Sequence, residues 1–278
     1  MSSPLPVAAG FAAPAPRRVE VYVLAPDGDG VLLRPGPDGV TRVPGVVLSH
    51  GETPREAAVR ALDGAIAAPT ALVLRQVLSD VRPVAGRPPE AGVHVLRLVL
   101  AAVGPQAVDQ VAVDPAAVDP ALFRSPAPAV TGPPPPGGPP RVQRPAAYAV
   151  VVQDGRALLS RVTGYGVWTL PGGGIDHGEH PDDAVRRETF EETGLDLAAF
   201  RLVDVDSRHF TGRSPAQVVE DFHGVRILYS GTVAQVREPQ VQEVGGSTDA
   251  AAWFPLERLD HLRLTDIART SLRARPRG

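Results

Sequence analysis

The chain has 278 residues, 43% of them hydrophobic, and a formal net charge of −3 at pH 7. This length suits one large or two ordinary domains, and the charge lacks the cationic excess typical of proteins that bind nucleic acid or anionic membranes. All 28 basic residues are arginine and cysteine is absent, which excludes a lysine Schiff base, a P-loop lysine, disulfides and thiolate metal sites.

Composition divides the chain into four parts. Residues 1–16, rich in alanine and proline, are predicted to be a disordered tail, and 17–124 a first domain. Residues 125–145 contain a proline run that favours a semi-rigid linker, and 146–278 form a second domain. The N-terminal segment lacks the apolar core of a signal peptide, and no long apolar run occurs. We therefore expect no membrane span and a cytoplasmic location.

The first domain opens with apolar residues on either side of Asp27, a pattern typical of a hairpin. A helix is predicted to begin at Pro54, because Thr53 and Glu56 have the spacing of a capping box. Two strands are then predicted, over 71–80 and 93–103. His94 lies in the second of them and is interpreted as a packed histidine.

The second domain begins with a predicted hairpin around Asp154-Gly155. Its remaining strands are predicted over 202–210, 225–233 and 251–254, with a polar loop over 212–224 and helices over 255–259 and 265–272.

Residues 170–195 read LPGGGIDHGEHPDDAVRRETFEETGL. A helix is predicted from Pro181, because proline fits the first helical position, to a left-handed cap at Gly194. Three glutamates stand on one face of it, namely Glu188, Glu191 and Glu192. Their repulsion costs roughly 0.2–0.5 kcal/mol per pair, and a bound cation would remove that cost. Such oxygen ligands suit Mg²⁺ or Mn²⁺; the alternative is a solvated acidic face.

The segment has a regular order of fixed residues. These are Gly173, then after five residues Glu179, then after seven residues Arg187-Glu188, followed by Thr189, Glu191-Glu192 and Gly194-Leu195. This order resembles the Nudix box, G-x5-E-x7-R-E-U-x-E-E-x-G-U, in which U is bulky and aliphatic. Every fixed letter is present, and only Thr189 departs, at the first U position. The resemblance covers mainly residues 145–260.

The resemblance implies an α/β (α+β) fold class, with tandem Nudix folds that are each an α/β/α sandwich around a mixed sheet. It implies Mg²⁺ or Mn²⁺ held by Glu188, Glu191, Glu192 and the backbone carbonyl of Gly172. Arg187 is expected to orient the glutamates and to pair with Glu179, which would support the site without binding the ion. The catalytic base is left open between a box glutamate and Glu243, with Asp221 and Asp249 as weaker candidates.

The function implied is Mg²⁺-dependent hydrolysis of a diphosphate linkage in a nucleoside diphosphate derivative: an NTP, a nucleotide sugar or an ADP-ribose-like compound. The alternative is a non-catalytic nucleotide-binding or sensor protein. The expected partner is a small nucleotide, with no membrane and no polymeric nucleic acid. Candidate substrate contacts, each with core or surface placement as the alternative, are Tyr165, Trp168, Phe210, Arg161, Arg208 and Arg213.

The first domain also aligns with the second at a constant offset of 127 residues. The identities include Pro44-Gly45 with Pro171-Gly172, His50-Gly51-Glu52 with His177-Gly178-Glu179, and Arg60 with Arg187. In place of the three helix glutamates stand Ala61, Gly64 and Ala65, and Val46 replaces Gly173. We interpret the first domain as a degenerate, non-hydrolytic Nudix-like copy with a structural or substrate-covering role; the alternative is that it binds a regulatory nucleotide. A homodimer or an intramolecular pseudo-dimer is the expected assembly.

Overall fold

The computed structural model describes residues 17–27, 30–36, 38–64, 71–86, 88, 91–103, 114–123, 136–214, 217–243 and 245–274. The predicted N-terminal tail, most of the predicted linker and Ala65 lie outside these ranges. Within them, no helix is both long enough and apolar enough to cross a membrane.

In its described residues, the first half forms a four-stranded sheet, two short two-stranded sheets and one α-helix. Its elements are β1 (Arg17–Leu24), β2 (Pro26–Asp27), β3 (Gly30–Val31), β4 (Arg34–Pro35), β5 (Thr41–Arg42), β6 (Gly45–Val47), α1 (Pro54–Leu62), β7 (Ala71–Arg82), β8 (Val93–Val103) and the 3-10 helices Pro115–Ala117 and Pro120–Leu122. The sheet order is β6-β1-β8-β7, with β1 and β8 parallel and the outer pairs antiparallel. Most residues of the central strands β1 and β8 are buried and apolar, because neighbouring strands and packed elements cover both strands.

The second half forms a seven-stranded sheet with two α-helices. Its elements are β9 (Arg141–Gln153), β10 (Arg156–Val162), β11 (Val167–Thr169), β12 (Gly172–Gly174), α2 (Pro181–Thr193), β13 (Leu197–Arg213), β14 (Val219–Val233), β15 (Thr248–Pro255), the 3-10 helix Leu256–His261 and α3 (Asp266–Arg273). Four of the strands, in the order β12-β9-β14-β13, repeat the order and directions of the first sheet. The mixed α+β fold class with two sheet bodies is confirmed.

The helix signals predicted from local rules are confirmed. Thr53 caps α1 in a capping box with Glu56. Pro181 is the first residue of α2, His180 caps it, and Gly194 ends it with a φ of 67°.

The predicted polar loop over 212–224 is wrong in most of its length. The strands β13 and β14 extend through it as one long antiparallel ribbon, so that His209 pairs with His223 and Phe210 with Phe222. Likewise β9 begins at Arg141, inside the predicted linker, because it pairs in parallel with β14. Both extensions depend on a neighbouring strand, which local sequence does not show.

The two halves share one hydrophobic core, which includes Val21 and Leu98 from the first half and Ala147 and Ile227 from the second. Each half also places the loop before its helix against the sheet of the other. His177 packs edge-on against His94 with ring centroids 5.5 Å apart, and His50 packs in the same way against His223. His50 and His177 stand at aligned positions of the two halves, so the two ring contacts have matching places in the chain.

His94 is a buried titratable group at this contact. It is 1% exposed, its Nε2 lies 2.8 Å from the Ser79 hydroxyl, and that hydroxyl donates to the Glu179 carbonyl. Burial, with His177 and Arg17 nearby, lowers the pKa of His94 to about 4, against the opposing effect of Asp80 and Glu179. The unfolded chain therefore binds the extra proton first as the pH falls below the ordinary histidine range.

We expect the urea midpoint of unfolding to fall between pH 6.5 and pH 4, and part of that fall to vanish in His94→Gln. The stability from this group is complete above the unfolded pKa and is lost as the pH approaches the folded pKa. Equilibrium urea unfolding at a series of pH values measures the slope. His261→Gln, at an exposed histidine, is the matched control and should keep the wild-type slope. A wild-type slope in His94→Gln would contradict the prediction.

Candidate active site

The glycine turn β12 is pressed against its neighbours so closely that larger residues do not fit. Gly172 has a φ of 141°, and a Cβ there would lie 2.2 Å from the Ala147 carbonyl oxygen. A Cβ on Gly173 would lie 2.5 Å from a carboxylate oxygen of Glu188. In the first half, Val46 aligns with Gly173 and Ala61 aligns with Glu188. A residue with a side chain therefore stands at the glycine position in the half that has no carboxylate at the Glu188 position.

Arg187 lies at the centre of the acidic group. Its guanidinium donates to both oxygens of Glu179 at 2.8 and 2.9 Å, to Glu188 at 2.9 Å and to Glu191 at 3.1 Å. It also donates to the Gly174 carbonyl at 2.9 Å. The bonds with Glu179 raise the pKa of Arg187 above its ordinary value. Burial alone would raise the pKa of Glu179, but Arg187 holds it below the usual range.

The first half contains an equivalent ion pair between the arginine of its helix and the glutamate of the preceding loop, but it lacks the glutamates of the helix face. Arg60 donates to both oxygens of Glu52 at 2.8 and 2.7 Å and to the Val47 carbonyl at 2.9 Å. The N–H of Ser49 donates to Glu52, as that of Asp176 donates to Glu179. The arginine–glutamate ion pair that joins loop and helix therefore forms without the carboxylates of the helix face, which indicates a structural function.

Glu192 lies behind the other two glutamates of the helix. It is 3% exposed and accepts bonds from the Gly172 N–H at 3.0 Å and from the Thr248 hydroxyl at 2.5 Å. Burial raises the pKa of Glu192 to about 7, although these two bonds favour its charged form. Burial also raises the pKa of Glu188. A buried and a half-buried carboxylate with raised pKa values are suited to a bound cation, which would favour their charged forms.

A cavity of about 460 Å³ opens beside the helix. Its described lining residues are Arg144, Ala146, Tyr148, Gly173, Gly174, Arg187, Glu188, Glu191, Arg208, Phe210, Phe222, Gly224, Arg226, Glu243 and Ser247. The lining therefore combines glutamates of α2 with arginines and aromatic rings of β9, β13 and β14.

Glu243 reaches this cavity from the loop after β14. Its N–H donates to the Glu191 carbonyl at 3.1 Å, which fixes the loop to the end of α2. The two weaker base candidates lie elsewhere. Asp249 pairs with Arg161 at 2.6 Å, and Asp221 lies among histidines at the contact with the first half.

The structure separates the predicted substrate contacts into two groups. Arg208 and Phe210 line the cavity. Four others do not belong to its described lining: Tyr165, Trp168, Arg161 and Arg213. Trp168 instead packs against Phe254 with ring centroids 4.6 Å apart, and Tyr165 is 73% exposed.

Sequence reasoning missed Arg144, Arg226, Tyr148 and Phe222, which also line the cavity. They lie on β9 and β14, which pair in parallel although they are far apart in the chain. Arg226 donates to Asp206 and, at 3.2 Å, to Asp266. A strand pattern shows alternation along a strand, but only the pairing register shows which residues share a wall.

Comparison with known proteins finds relatives of the part of the chain that contains this site. A family model described as the NUDIX domain matches residues 142–274. An RNA pyrophosphohydrolase from Saccharophagus degradans is 38% identical over 143 residues, which cover 47% of this chain and 84% of the relative. The chain belongs to the Nudix family. It is thus a member of a class of hydrolases that act on phosphoric anhydrides, and the site on α2 is its Nudix box.

Two further relatives of this Nudix protein also match less than half of the chain. An RNA pyrophosphohydrolase from Psychrobacter arcticus is 30% identical over 124 residues, covering 40% of this chain and 70% of the relative. The crystal structure of a MutT NUDIX hydrolase from Burkholderia pseudomallei is 32% identical, covers 48% of this chain and 98% of that one, and has a TM-score of 0.38. The residues matched by the family model all lie in the second half.

Proposed function

We propose that this Nudix protein is a Mg²⁺- or Mn²⁺-dependent hydrolase of a diphosphate linkage in a nucleoside diphosphate derivative, such as an NTP, a nucleotide sugar or an ADP-ribose-like compound. The observation that carries the proposal is that Glu188, Glu191 and Glu243 line the same cavity as Arg144 and Arg208. The carboxylates suit a divalent cation, and the arginines suit the phosphates that the cation would accompany.

The box residues fit such an ion. Glu188, Glu191, Glu192 and the Gly172 carbonyl would hold it, since hard oxygen ligands suit Mg²⁺ and Mn²⁺. Arg187 compensates two of these carboxylates in the structure, and burial raises the pKa of Glu188 and Glu192. When bound, the ion would screen the charge that builds on the phosphate oxygens and lower the pKa of the attacking water.

The remaining side chains have roles that follow from their positions. Arg187 and Glu179 would fix the box glutamates, and Arg208 would pair with phosphate oxygens. Phe210 and Phe222, whose ring centroids are 5.3 Å apart, offer a surface on which a base can stack. Glu243 would accept the proton of the water at its carboxylate, with a box glutamate as the alternative base.

The proposal is tested by incubating the full-length protein with Mg²⁺ and a panel of NTPs, nucleotide sugars and ADP-ribose. The panel also includes a 5′-triphosphorylated RNA, because two relatives are named RNA pyrophosphohydrolases. Mass spectrometry of products formed in ¹⁸O-labelled water identifies the substrate and the attacked phosphorus together. Turnover of a small nucleotide is expected. Tight nucleotide binding without products would overturn hydrolysis, and turnover of RNA alone would overturn the proposed substrate class.

We also propose that the first half, residues 17–124, is a degenerate copy without hydrolytic activity that supports the box loop of the second half, 146–278, with 125–145 as the link. The ion pair between Arg60 and Glu52, which matches that between Arg187 and Glu179, supports a duplication of the domain. The bond from Ser79 to the Glu179 carbonyl supports the structural role, because it holds the loop that carries Glu179. Ala61 stands on α1 at the position aligned with Glu188, and α1 ends at Leu62, before Gly64, which aligns with Glu191.

A further inference from the structure

A second group of metal-binding side chains lies away from the cavity, where the first half contacts the β13–β14 ribbon. One ligand atom from each of His50, His209 and Asp221 lies within 4.8 Å of the others. His209 and Asp221 are on the two paired strands of the second half, and His50 is in the loop after β6 of the first. Side chains alternate between the two faces of a strand. Phe210 lines the cavity on one face of the ribbon, and its neighbour His209 lies on the other face, next to His50 of the first half.

Both imidazoles approach the same oxygen of Asp221. The Nε2 of His209 lies 2.5 Å from that oxygen and the Nε2 of His50 lies 3.3 Å from it. The side chain of His50 is 9% exposed, and Asp221 lies within ion-pair distance of its Nε2. This nitrogen and the Nε2 of His209 therefore converge on one carboxylate oxygen from the two halves of the chain.

The neighbours hold these groups in place. Arg141 lies 3.5 Å from the other oxygen of Asp221, which leaves the first oxygen for the two imidazoles. His223 packs against His50 with ring centroids 5.5 Å apart, and its Nδ1 lies 3.0 Å from the side-chain amide of Gln143. The chain thus supplies two imidazole ligands, one carboxylate ligand and a surrounding set of groups that orients them.

We propose that His50, His209 and Asp221 bind a divalent transition metal ion of the Zn²⁺ class, which ties the first half of the chain to the ribbon of the second. Imidazole with carboxylate suits Zn²⁺ better than Mg²⁺, which prefers oxygen ligands throughout. The ligand set has three protein atoms, so water completes the coordination. Because the ligands come from both halves, the bound ion stabilises only the assembled pair and acts as a structural link.

The test uses the full-length protein, loaded with Zn²⁺ and passed through a desalting column, with metal content measured by plasma mass spectrometry. Thermal unfolding is recorded in parallel with Zn²⁺ and with EDTA. The variants are His50→Gln, His209→Gln and Asp221→Asn, each tested separately so that one misfolded variant does not decide the result. The controls are His261→Gln, at an exposed histidine, and Glu191→Gln, which alters the box.

We expect one retained Zn²⁺ per chain and a higher melting temperature with Zn²⁺ than with EDTA. Each ligand variant should weaken Zn²⁺ binding by more than the roughly 10–100-fold that loss of an outer partner costs. Each should also lose the Zn²⁺-dependent rise in melting temperature, whereas His261→Gln and Glu191→Gln should keep both. As a second measurement, Co²⁺ should give visible d–d absorption that disappears in His50→Gln.

Two outcomes would overturn the proposal. One is that no Zn²⁺ is retained by the wild-type chain. The other is that Zn²⁺ is lost in Glu191→Gln but retained in folded His50→Gln and His209→Gln, which would place the ion at the box. Because the readouts are metal content and unfolding, they are independent of whether the proposed hydrolysis occurs.

Discussion

Glu191→Gln is expected to lower kcat/KM by roughly 10²–10³-fold, a loss comparable to that of a preorganised electrostatic contact. The glutamine keeps the volume of the side chain and removes its charge, so the proposed ion loses a ligand. The fold should tolerate the change, because the Glu191 side chain is 37% exposed and its carboxylate bonds to Arg187 alone among the described residues. Initial rates over a range of Mg²⁺ concentrations measure the effect.

Glu257→Gln is the matched control, since that glutamate is exposed in the last 3-10 helix. It should keep wild-type rates. The Glu191→Gln protein should need more Mg²⁺ for half-maximal rate and should melt at the wild-type temperature in EDTA. Wild-type activity in this variant would show that the ion is held by other groups. In a chain that lacks all three box glutamates, no residual hydrolysis by the first half is expected, because Ala61 and Gly64 replace the ligands there.

Gly173→Ala is expected to lower kcat by about 10²-fold, the effect of displacing a reacting or binding group by about 1 Å. The added Cβ would lie 2.5 to 2.8 Å from the carboxylate atoms of Glu188, so that carboxylate must move. The φ of Gly173 lies outside the left-handed region in which only glycine is favoured, so the effect arises from contact and not from backbone strain. Steady-state kinetics at saturating Mg²⁺ measures it.

The repeat supplies the control for this substitution. Val46→Ala alters the residue of the first half that aligns with Gly173, where Ala61 aligns with Glu188, and it should leave kcat unchanged. A double-mutant cycle adds a sharper test. In a chain that already carries Glu188→Ala, Gly173→Ala should cost little more, because the displaced group is gone. Additive losses would contradict a contact between these two residues.

Several features of this protein follow from local rules, which is why the sequence predicted them. Pro181 starts α2 and Gly194 ends it, because proline fixes φ at a helix start and glycine accepts a left-handed cap. The spacing of the three box glutamates then places them on one side of the helix, as 3.6 residues per turn requires. The capping box at Thr53 and the repeat of 127 residues are also properties of the sequence alone.

The contacts between distant segments were decided only by the tertiary structure. Nothing local indicates that β9 pairs in parallel with β14, and this pairing brings Arg144 and Arg226 to the cavity. The same holds for Trp168, an aromatic candidate for base stacking that packs against Phe254 instead. A strand pattern gives the two faces of a strand, but it does not give the partner that covers each face.

The sequence by itself determined the acidic helix and the glycine turn before it, and it showed Val46 and Ala61 at the first-half positions aligned with Gly173 and Glu188. Each of these features depends on residues close together in the chain. The tertiary structure alone decided that Glu192 is buried behind the other two glutamates, and that histidines of the two halves meet around Asp221. Burial and proximity of this kind arise when separate segments pack, and the free energy of that packing is a property of the whole fold.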